Sequence, residues 1–193
     1  MLFTMVISLY TSRVILQVLG ADDFGIYNVV GGVVVLFSFL TNAMTSSTQR
    51  FLNYNFGLKN ESKVSHIFNV SILTHFTIFL LVLLLSETVG LWFVMTQLNI
   101  PVGRETATMW VYQMSVVTTL IGIMVIPYRA SIIAAERMSI FAYVSILEVA
   151  LKLVVVLVLS YMSFDNLVMY SILLTLVAML NFCLLYTSDA ADE

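Results

Sequence analysis

Long apolar segments separated by short polar connections are the feature that most constrains how this chain can fold. Six segments approach or exceed the length of about 20 residues that a helix needs to cross a bilayer. They are Met1–Leu19, Tyr27–Ser47, Phe68–Met95, Thr106–Pro127, Phe141–Met162 and Asp165–Leu185. A tight turn is expected at Gly20–Gly25, and Pro127 is expected to end or kink the fourth helix, because proline lacks a backbone N–H. The pattern predicts an all-α membrane protein, a six-transmembrane-helix bundle.

The overall composition agrees with a membrane protein and excludes several other classes. Hydrophobic residues make up 61% of the chain, charged residues make up 10%, and the mean hydropathy is +1.03. A soluble domain is about 45–50% apolar and about 25% charged. A soluble fold of this size could not bury so much apolar surface. Disordered chains and nucleic-acid-binding domains carry more charge than this one, so no nucleic-acid partner is expected.

The two ends of the chain point to a gene fragment. Residues 183–193 resemble the in-frame translation of a sequencing-library adapter, and such a segment is not expected to belong to the native fold. Met1 lies inside an apolar stretch without the basic lead-in of a signal peptide. The expected organisation is therefore one six-helix lobe over residues 1–182, truncated at both ends, followed by an artefact at 183–193. Without that tail the formal net charge changes from −3 to 0.

The distribution of lysine and arginine predicts the orientation in the membrane. Loops two and four carry five basic residues, Arg50, Lys59, Lys63, Arg129 and Arg137, whereas the other loops carry only Arg104. Cytoplasmic loops are enriched in lysine and arginine. The even-numbered loops and the N-terminus are therefore expected on the cytoplasmic side of a bacterial inner (plasma) membrane.

Arg13, Glu148 and Lys152 are charged residues that lie away from the ends of the predicted spans, and a charge costs about 2.5–3.5 kcal/mol at the bilayer centre. Arg13, in the first span, is either a snorkelling arginine near a helix end or a cation that binds an anionic substrate. Glu148 and Lys152 share a face of the fifth span at i, i+4 spacing. They form either a self-neutralising pair or part of a charged cavity wall.

The second span carries a polar stripe that includes Asn42 and Gln49. Small polar residues allow close helix packing, and the alternative is a cavity lining for a sugar or phosphate. The chain contains no phosphate-binding loop, no metal-ligand spacing and no nucleophile elbow. We therefore expect neither an enzyme nor a cofactor or metal.

Several segments together resemble polysaccharide flippases of the Wzx type, members of the multidrug/oligosaccharidyl-lipid/polysaccharide (MATE-like) superfamily. The similarity extends over nearly all of the chain up to Phe182 and is carried by Tyr10–Gly32, Ser46–Tyr54, Ser86–Phe93, Ile126–Ala130 and Met138–Val149. The pattern over all six helices carries this resemblance; no single motif is diagnostic.

The resemblance implies a specific transport function. Such proteins have two six-helix lobes around a cavity that opens alternately to each side, and they carry a polyprenyl-diphosphate-linked oligosaccharide used to build lipopolysaccharide or capsule. The chain would be the N-terminal lobe, with membrane lipids and the C-terminal lobe of the same protein as partners. Ser12-Arg13 resembles a Ser-Arg pair of the related lipid II flippase, in which the arginine serves the pyrophosphate. The resemblance thus implies Arg13 as a substrate-binding residue. The polar stripe and the charged pair add Asn42, Gln49, Glu148 and Lys152 as further candidates for substrate binding.

Two other functions remain open at the level of the sequence. A cation-coupled multidrug exporter of the same superfamily usually relies on a carboxylate in the first helix, whereas the first helix here carries Arg13 and no carboxylate. A non-transporting membrane scaffold would require a complete six-helix chain with a partner, and the absence of a polar cavity between its helices would favour it.

Overall fold

The computed structural model describes the backbone of residues 2–35, 38–58, 61–161 and 164–190. These residues form six helices and no strand. They are α1 (Leu2–Val35), α2 (Ser38–Gly57), α3 (Glu61–Leu85, continued by a π-helical turn at Ser86–Gly90 and by Leu91–Gln97), α4 (Glu105–Ala134), α5 (Met138–Leu159) and α6 (Asn166–Ala190). The all-α prediction is confirmed.

Four of these helices are long and apolar enough to cross a membrane. The candidate spans are Ser62–Gln97, Glu105–Ala134, Met138–Leu159 and Asn166–Thr187. The shortest contain 22 residues, which at about 1.5 Å per residue matches a hydrocarbon core of about 30 Å. They correspond to the third to sixth predicted spans and indicate a multi-pass membrane protein.

The first two predicted spans differ from the observed helices. The chain breaks within α1 at Gly20, where φ is 79° and ψ is 171°. Glycine adopts this left-handed φ without a Cβ clash. The predicted six-residue turn is thus reduced to one residue, and the helix resumes at once. The second predicted span is divided between the end of α1 and α2, and residues 36–37 lie outside the described residues. Membrane crossing by these two segments stays a prediction.

The predicted end of the fourth span at Pro127 is wrong. Helix α4 continues to Ala134, with Pro127 inside it. Buried side chains on both sides of the proline hold the helix together: Val125 and Ile132 pack with Leu185, and Ala130 packs with Leu52. Apolar burial therefore offsets the lost backbone hydrogen bond, and Arg129 becomes part of a membrane helix.

Helix α4 lies at the centre of the bundle and contacts each of the other five helices. The main core is built around it from branched aliphatic side chains of α1, α3, α5 and α6. Helix α6 continues past Phe182, and Leu185 is buried against α4. The division of the chain at residues 182 and 183 stays a prediction.

One end of the bundle is joined by a charged network. Arg104 Nη1 donates to Asp165 Oδ2 at 2.6 Å, and Arg104 Nη2 donates to Asp23 Oδ2. These three residues come from the segment that follows Gly20, from the connection before α4 and from the connection before α6. The predicted first, third and fifth loops thus meet at one end of the bundle.

Candidate functional site

A cavity of about 540 Å³ opens between α1, α4, α5 and α6. Its apolar wall includes Ile15, Val125 and Leu174. Its polar lining consists of hydroxyl, amide and charged side chains, namely Ser8, Thr11, Tyr27, Thr118, Arg129, Glu148, Lys152, Tyr170 and Asn181. The volume lies within the range of about 300–1,000 Å³ that is typical of small-molecule sites.

Glu148 lies at the centre of the charged part of this cavity. Its Oε1 accepts a hydrogen bond from Lys152 Nζ at 2.7 Å, and its Oε2 accepts one from Asn181 Nδ2 at 2.6 Å. Arg129 Nη2 lies 3.8 Å from the same Oε2, close enough for an ion pair but too far for a hydrogen bond. One carboxylate is thus shared by two cations and an amide from three different helices.

The charged lining residues that the structure describes have a net charge of +1. Arg129 and Lys152 keep 39% and 45% of their side-chain surface exposed, compared with 26% for Glu148. Arg129 also lies over the Phe141 ring, 5.8 Å from its centroid, and this cation–π contact fixes the guanidinium next to the cavity. The two cations therefore present more accessible surface than the carboxylate between them.

Two polar atoms at the cavity are buried without a hydrogen-bond partner. They are Arg129 Nε, a donor, and Asn181 Oδ1, an acceptor. Asn181 as a whole is only 8% exposed, and it lines the cavity. Buried polar groups in proteins are nearly always paired, and exceptions often mark a site for a ligand or water.

A smaller cavity of about 160 Å³ adjoins the first and shares Tyr27, Thr118 and Leu174 with it. Its remaining polar lining is made of hydroxyl groups from Ser115, Thr119 and Ser171. Thr118 Oγ1 and Thr175 Oγ1 lie 2.9 Å apart between α4 and α6. Hydroxyl groups that both donate and accept hydrogen bonds therefore line the region around Thr118, where the two cavities adjoin.

Two of the residues predicted from the sequence meet in this cavity. Glu148 and Lys152 form the expected i, i+4 ion pair, and both line the cavity. Gln49 is half-buried on α2 and is not among the lining residues. Asn42 lies within α2, but its side chain is outside the described residues. Binding of a substrate by any of these residues stays a prediction.

The structure does not bring Arg13 to the cavity. Ser8, Thr11 and Ile15 line it, and Arg13 is exposed on the same helix. At 3.6 residues per turn, Arg13 lies about 200° around the helix axis from both Thr11 and Ile15. Arg13 therefore belongs to the opposite face of α1, which faces away from α4, α5 and α6.

Sequence reasoning missed Arg129 and Asn181. The predicted end of the fourth span at Pro127 places Arg129 in a cytoplasmic loop, outside the membrane. Asn181 carried a usable signal, since a polar amide deep inside an apolar span needs a partner. Its partner Glu148 is 33 positions away along the chain, so no local pattern identifies the contact.

No group of three or more His, Cys, Asp and Glu side chains that could hold a metal ion occurs in the described part of the chain. Comparisons with models of known protein families, with curated proteins and with solved structures find no match for this chain.

Proposed function

We propose that this chain is the N-terminal lobe of a flippase that moves a polyprenyl-diphosphate-linked oligosaccharide across a bacterial inner membrane for surface polysaccharide synthesis. The observation that carries the proposal is a cationic, hydroxyl-lined cavity between helices that are themselves candidate membrane spans. Ionisable residues inside membrane spans are costly, and they generally mark a substrate or ion pathway. The resemblance to Wzx-type proteins supports the same class of substrate.

The depth of the charged cluster supports a ligand that lies within the bilayer. Helix α5 begins at Met138 and ends at Leu159, so Glu148 lies about 15 Å from its start at 1.5 Å per residue. That is close to the midplane of a hydrocarbon core about 30 Å thick. A ligand that reaches this depth needs either a lipid tail or a route through the protein, and a lipid-linked diphosphate has the tail.

The chemistry of the lining matches the polar part of such a ligand. A guanidinium offers paired donors to phosphate oxygens, and an ammonium adds a compact positive charge. Hydroxyl groups from Ser8, Thr11 and Thr118 can exchange hydrogen bonds with a sugar. In the proposed mechanism the cavity opens to one side and then the other as two lobes rock against each other.

The alternatives have less support from these contacts. An exporter coupled to a cation needs a carboxylate that is free to take up that cation, whereas Glu148 already accepts from Lys152 and Asn181. A scaffold without transport has no use for a polar cavity inside the bundle. A flippase uses both the cavity and its positive charge.

We expect farnesyl diphosphate, a short lipid diphosphate, to bind the purified chain in nanodiscs, and Lys152→Gln to weaken binding about tenfold. The substitution keeps the length of the side chain roughly constant and removes one of the two cavity cations. Isothermal titration calorimetry would measure the dissociation constants. Arg13→Gln, tested in parallel, reports whether the exposed face of α1 also contributes to binding.

Two controls make this test specific to the cavity. Arg50→Gln removes an exposed arginine on α2 that does not line the cavity, and it should leave the affinity unchanged. Farnesol has the same tail without the diphosphate and should bind much more weakly. Equal binding of farnesol and farnesyl diphosphate, or no binding of either, would rule out the proposed function.

A further inference from the structure

The carboxylate of Glu148 occupies the position that an anionic ligand of this cavity would be expected to take. Both of its oxygens are used, Oε1 by Lys152 and Oε2 by Asn181, and Arg129 approaches Oε2 as well. The three partners come from α4, α5 and α6, so Glu148 joins the helices that form the cavity. An anion that enters the cavity meets cations that are already paired.

The donors around Glu148 are nevertheless not saturated. Arg129 contacts the carboxylate at 3.8 Å without a hydrogen bond, and its Nε is buried without a partner. The Lys152 ammonium can donate three hydrogen bonds, and 45% of its side chain is exposed. Asn181, which is 92% buried, donates to Oε2 through Nδ2. Lys152 and Arg129 can therefore donate more hydrogen bonds to a phosphate group than they donate to Glu148.

We propose that Glu148 is an internal counter-anion, which a phosphate group of the ligand displaces from Lys152 and Arg129. This inference rests on the proposed function, because it assigns the anion that the cavity accepts. In the empty cavity the carboxylate neutralises one cation and reduces the cost of two like charges inside the membrane. On binding, phosphate oxygens replace it, and the guanidinium gains the hydrogen bonds that it lacks at 3.8 Å.

Asn181 is a positioning residue in this arrangement. Its amide holds Glu148 Oε2 at 2.6 Å from α6, while Lys152 holds Oε1 from the same helix as Glu148. Loss of the amide would leave every charge in the cavity unchanged and would free one oxygen of the carboxylate. Without this hydrogen bond less energy is needed to move the carboxylate away from Lys152 and Arg129 when a phosphate group binds.

The decisive experiment compares Glu148→Gln with the unmodified chain for binding of farnesyl diphosphate in nanodiscs. Glutamine keeps the size of the side chain and one acceptor oxygen, replaces the other oxygen with an NH₂ donor, and removes the charge. We expect the dissociation constant to fall about tenfold, because the ligand no longer competes with a carboxylate. Glu136→Gln is the matched control, since Glu136 is exposed between α4 and α5 and does not line the cavity. The affinity of the Glu136→Gln variant for farnesyl diphosphate should equal that of the unmodified chain.

Inorganic diphosphate, titrated in the same way, distinguishes a lipid-linked ligand from a free one. If Glu148→Gln binds only farnesyl diphosphate more tightly than the unmodified chain does, a lipid-linked phosphate displaces Glu148. If the variant binds both probes more tightly, phosphate from either source can displace it. Asn181→Ala provides a second variant if Glu148→Gln does not fold, and it should tighten binding about threefold.

The outcomes separate this inference from the proposed function. If the unmodified chain binds farnesyl diphosphate and Glu148→Gln binds it equally or more weakly, Glu148 is a ligand-binding or structural residue. The proposal that phosphate displaces Glu148 is then wrong, and the proposed function stands. If neither the unmodified chain nor any of the variants binds either diphosphate, both are wrong.

Discussion

Replacing Arg104 with glutamine is expected to lower the free energy of unfolding by about 2 kcal/mol at neutral pH. Arg104 pairs with Asp23, whose side chain is only 8% exposed, and with Asp165, which is 37% exposed. Loss of the arginine leaves the Asp23 carboxylate buried without its cation. Loss of one partner from a fully buried ion pair lowers the free energy of unfolding by about 3–5 kcal/mol. We expect only about 2 kcal/mol here because 37% of the Arg104 side chain is exposed to solvent.

The loss should depend on pH in a direction that follows from Asp23. Burial raises the pKa of the Asp23 carboxyl above its ordinary value of 3.8, and the Arg104 guanidinium opposes this rise. Without Arg104 the pKa in the folded state rises further. A carboxyl with a raised folded pKa favours the folded state below its unfolded pKa and loses that contribution as the pH rises through the folded value. The destabilisation by Arg104→Gln should therefore be small near pH 4 and grow towards neutral pH.

Denaturant titration in detergent micelles at several pH values would measure this effect. Asp165→Asn removes the more exposed of the two ion pairs of Arg104. It keeps the side-chain oxygen that accepts from the Leu167 N–H. This substitution should therefore lower the free energy of unfolding by less than about 0.5 kcal/mol. Asp23→Asn in the Arg104→Gln background should restore much of the stability, because it removes the unpaired charge. A double variant no more stable than Arg104→Gln would contradict this explanation.

Replacing Gly90 with alanine is expected to cost about 2 kcal/mol of unfolding free energy. A Cβ on Gly90 would lie 2.2 Å from Tyr112 Oη and 3.4 Å from Cζ. Tyr112 is fully buried, and its hydroxyl donates to Ser86 O at 2.6 Å across the π-helical turn. The tyrosine cannot move aside without breaking this hydrogen bond or disturbing the core around α4.

The clash with a single atom allows a rescue experiment. Tyr112→Phe removes the hydroxyl that the new Cβ meets, and Ser86 O keeps the backbone N–H of Leu91 as a donor. In the Gly90→Ala background this second substitution should restore stability, so the two changes are not additive. Gly32→Ala is the control: nothing lies within 4 Å of its Cβ, and it should be neutral or stabilising by up to about 1 kcal/mol. Equal losses at Gly90 and Gly32 would exclude the steric explanation.

Helices that consist mostly of apolar residues could be predicted from the sequence, because a long apolar stretch is visible in the local order of residues. The third to sixth predicted spans agree with the candidate spans to within about seven residues at each end. The largest error lies at Pro127, where the rule that proline ends a helix is overridden by the burial of Ala130 and Ile132. The Glu148–Lys152 pair could also be predicted, since its geometry follows from i, i+4 spacing within one helix.

The remaining parts of the candidate site could not be predicted in this way. Helical periodicity places Arg13 away from Thr11 and Ile15, but it does not say which of the two faces meets the cavity. Hydropathy is similar around α4, α5 and α6, so it does not fix how each helix is rotated about its axis. Rotation decides whether Arg129 and Asn181 point to Glu148 or to lipid.

The sequence by itself therefore determined that this chain is helical, multi-pass and poor in charge, and it identified most of the charges inside the spans. Only the tertiary structure decided that Arg129 and Asn181 join Glu148, that Arg104 bridges Asp23 and Asp165, and that Gly90 faces Tyr112. The physical reason is that spans follow from the transfer of local apolar segments out of water. Each of these contacts joins residues far apart in the chain and depends on how whole helices pack.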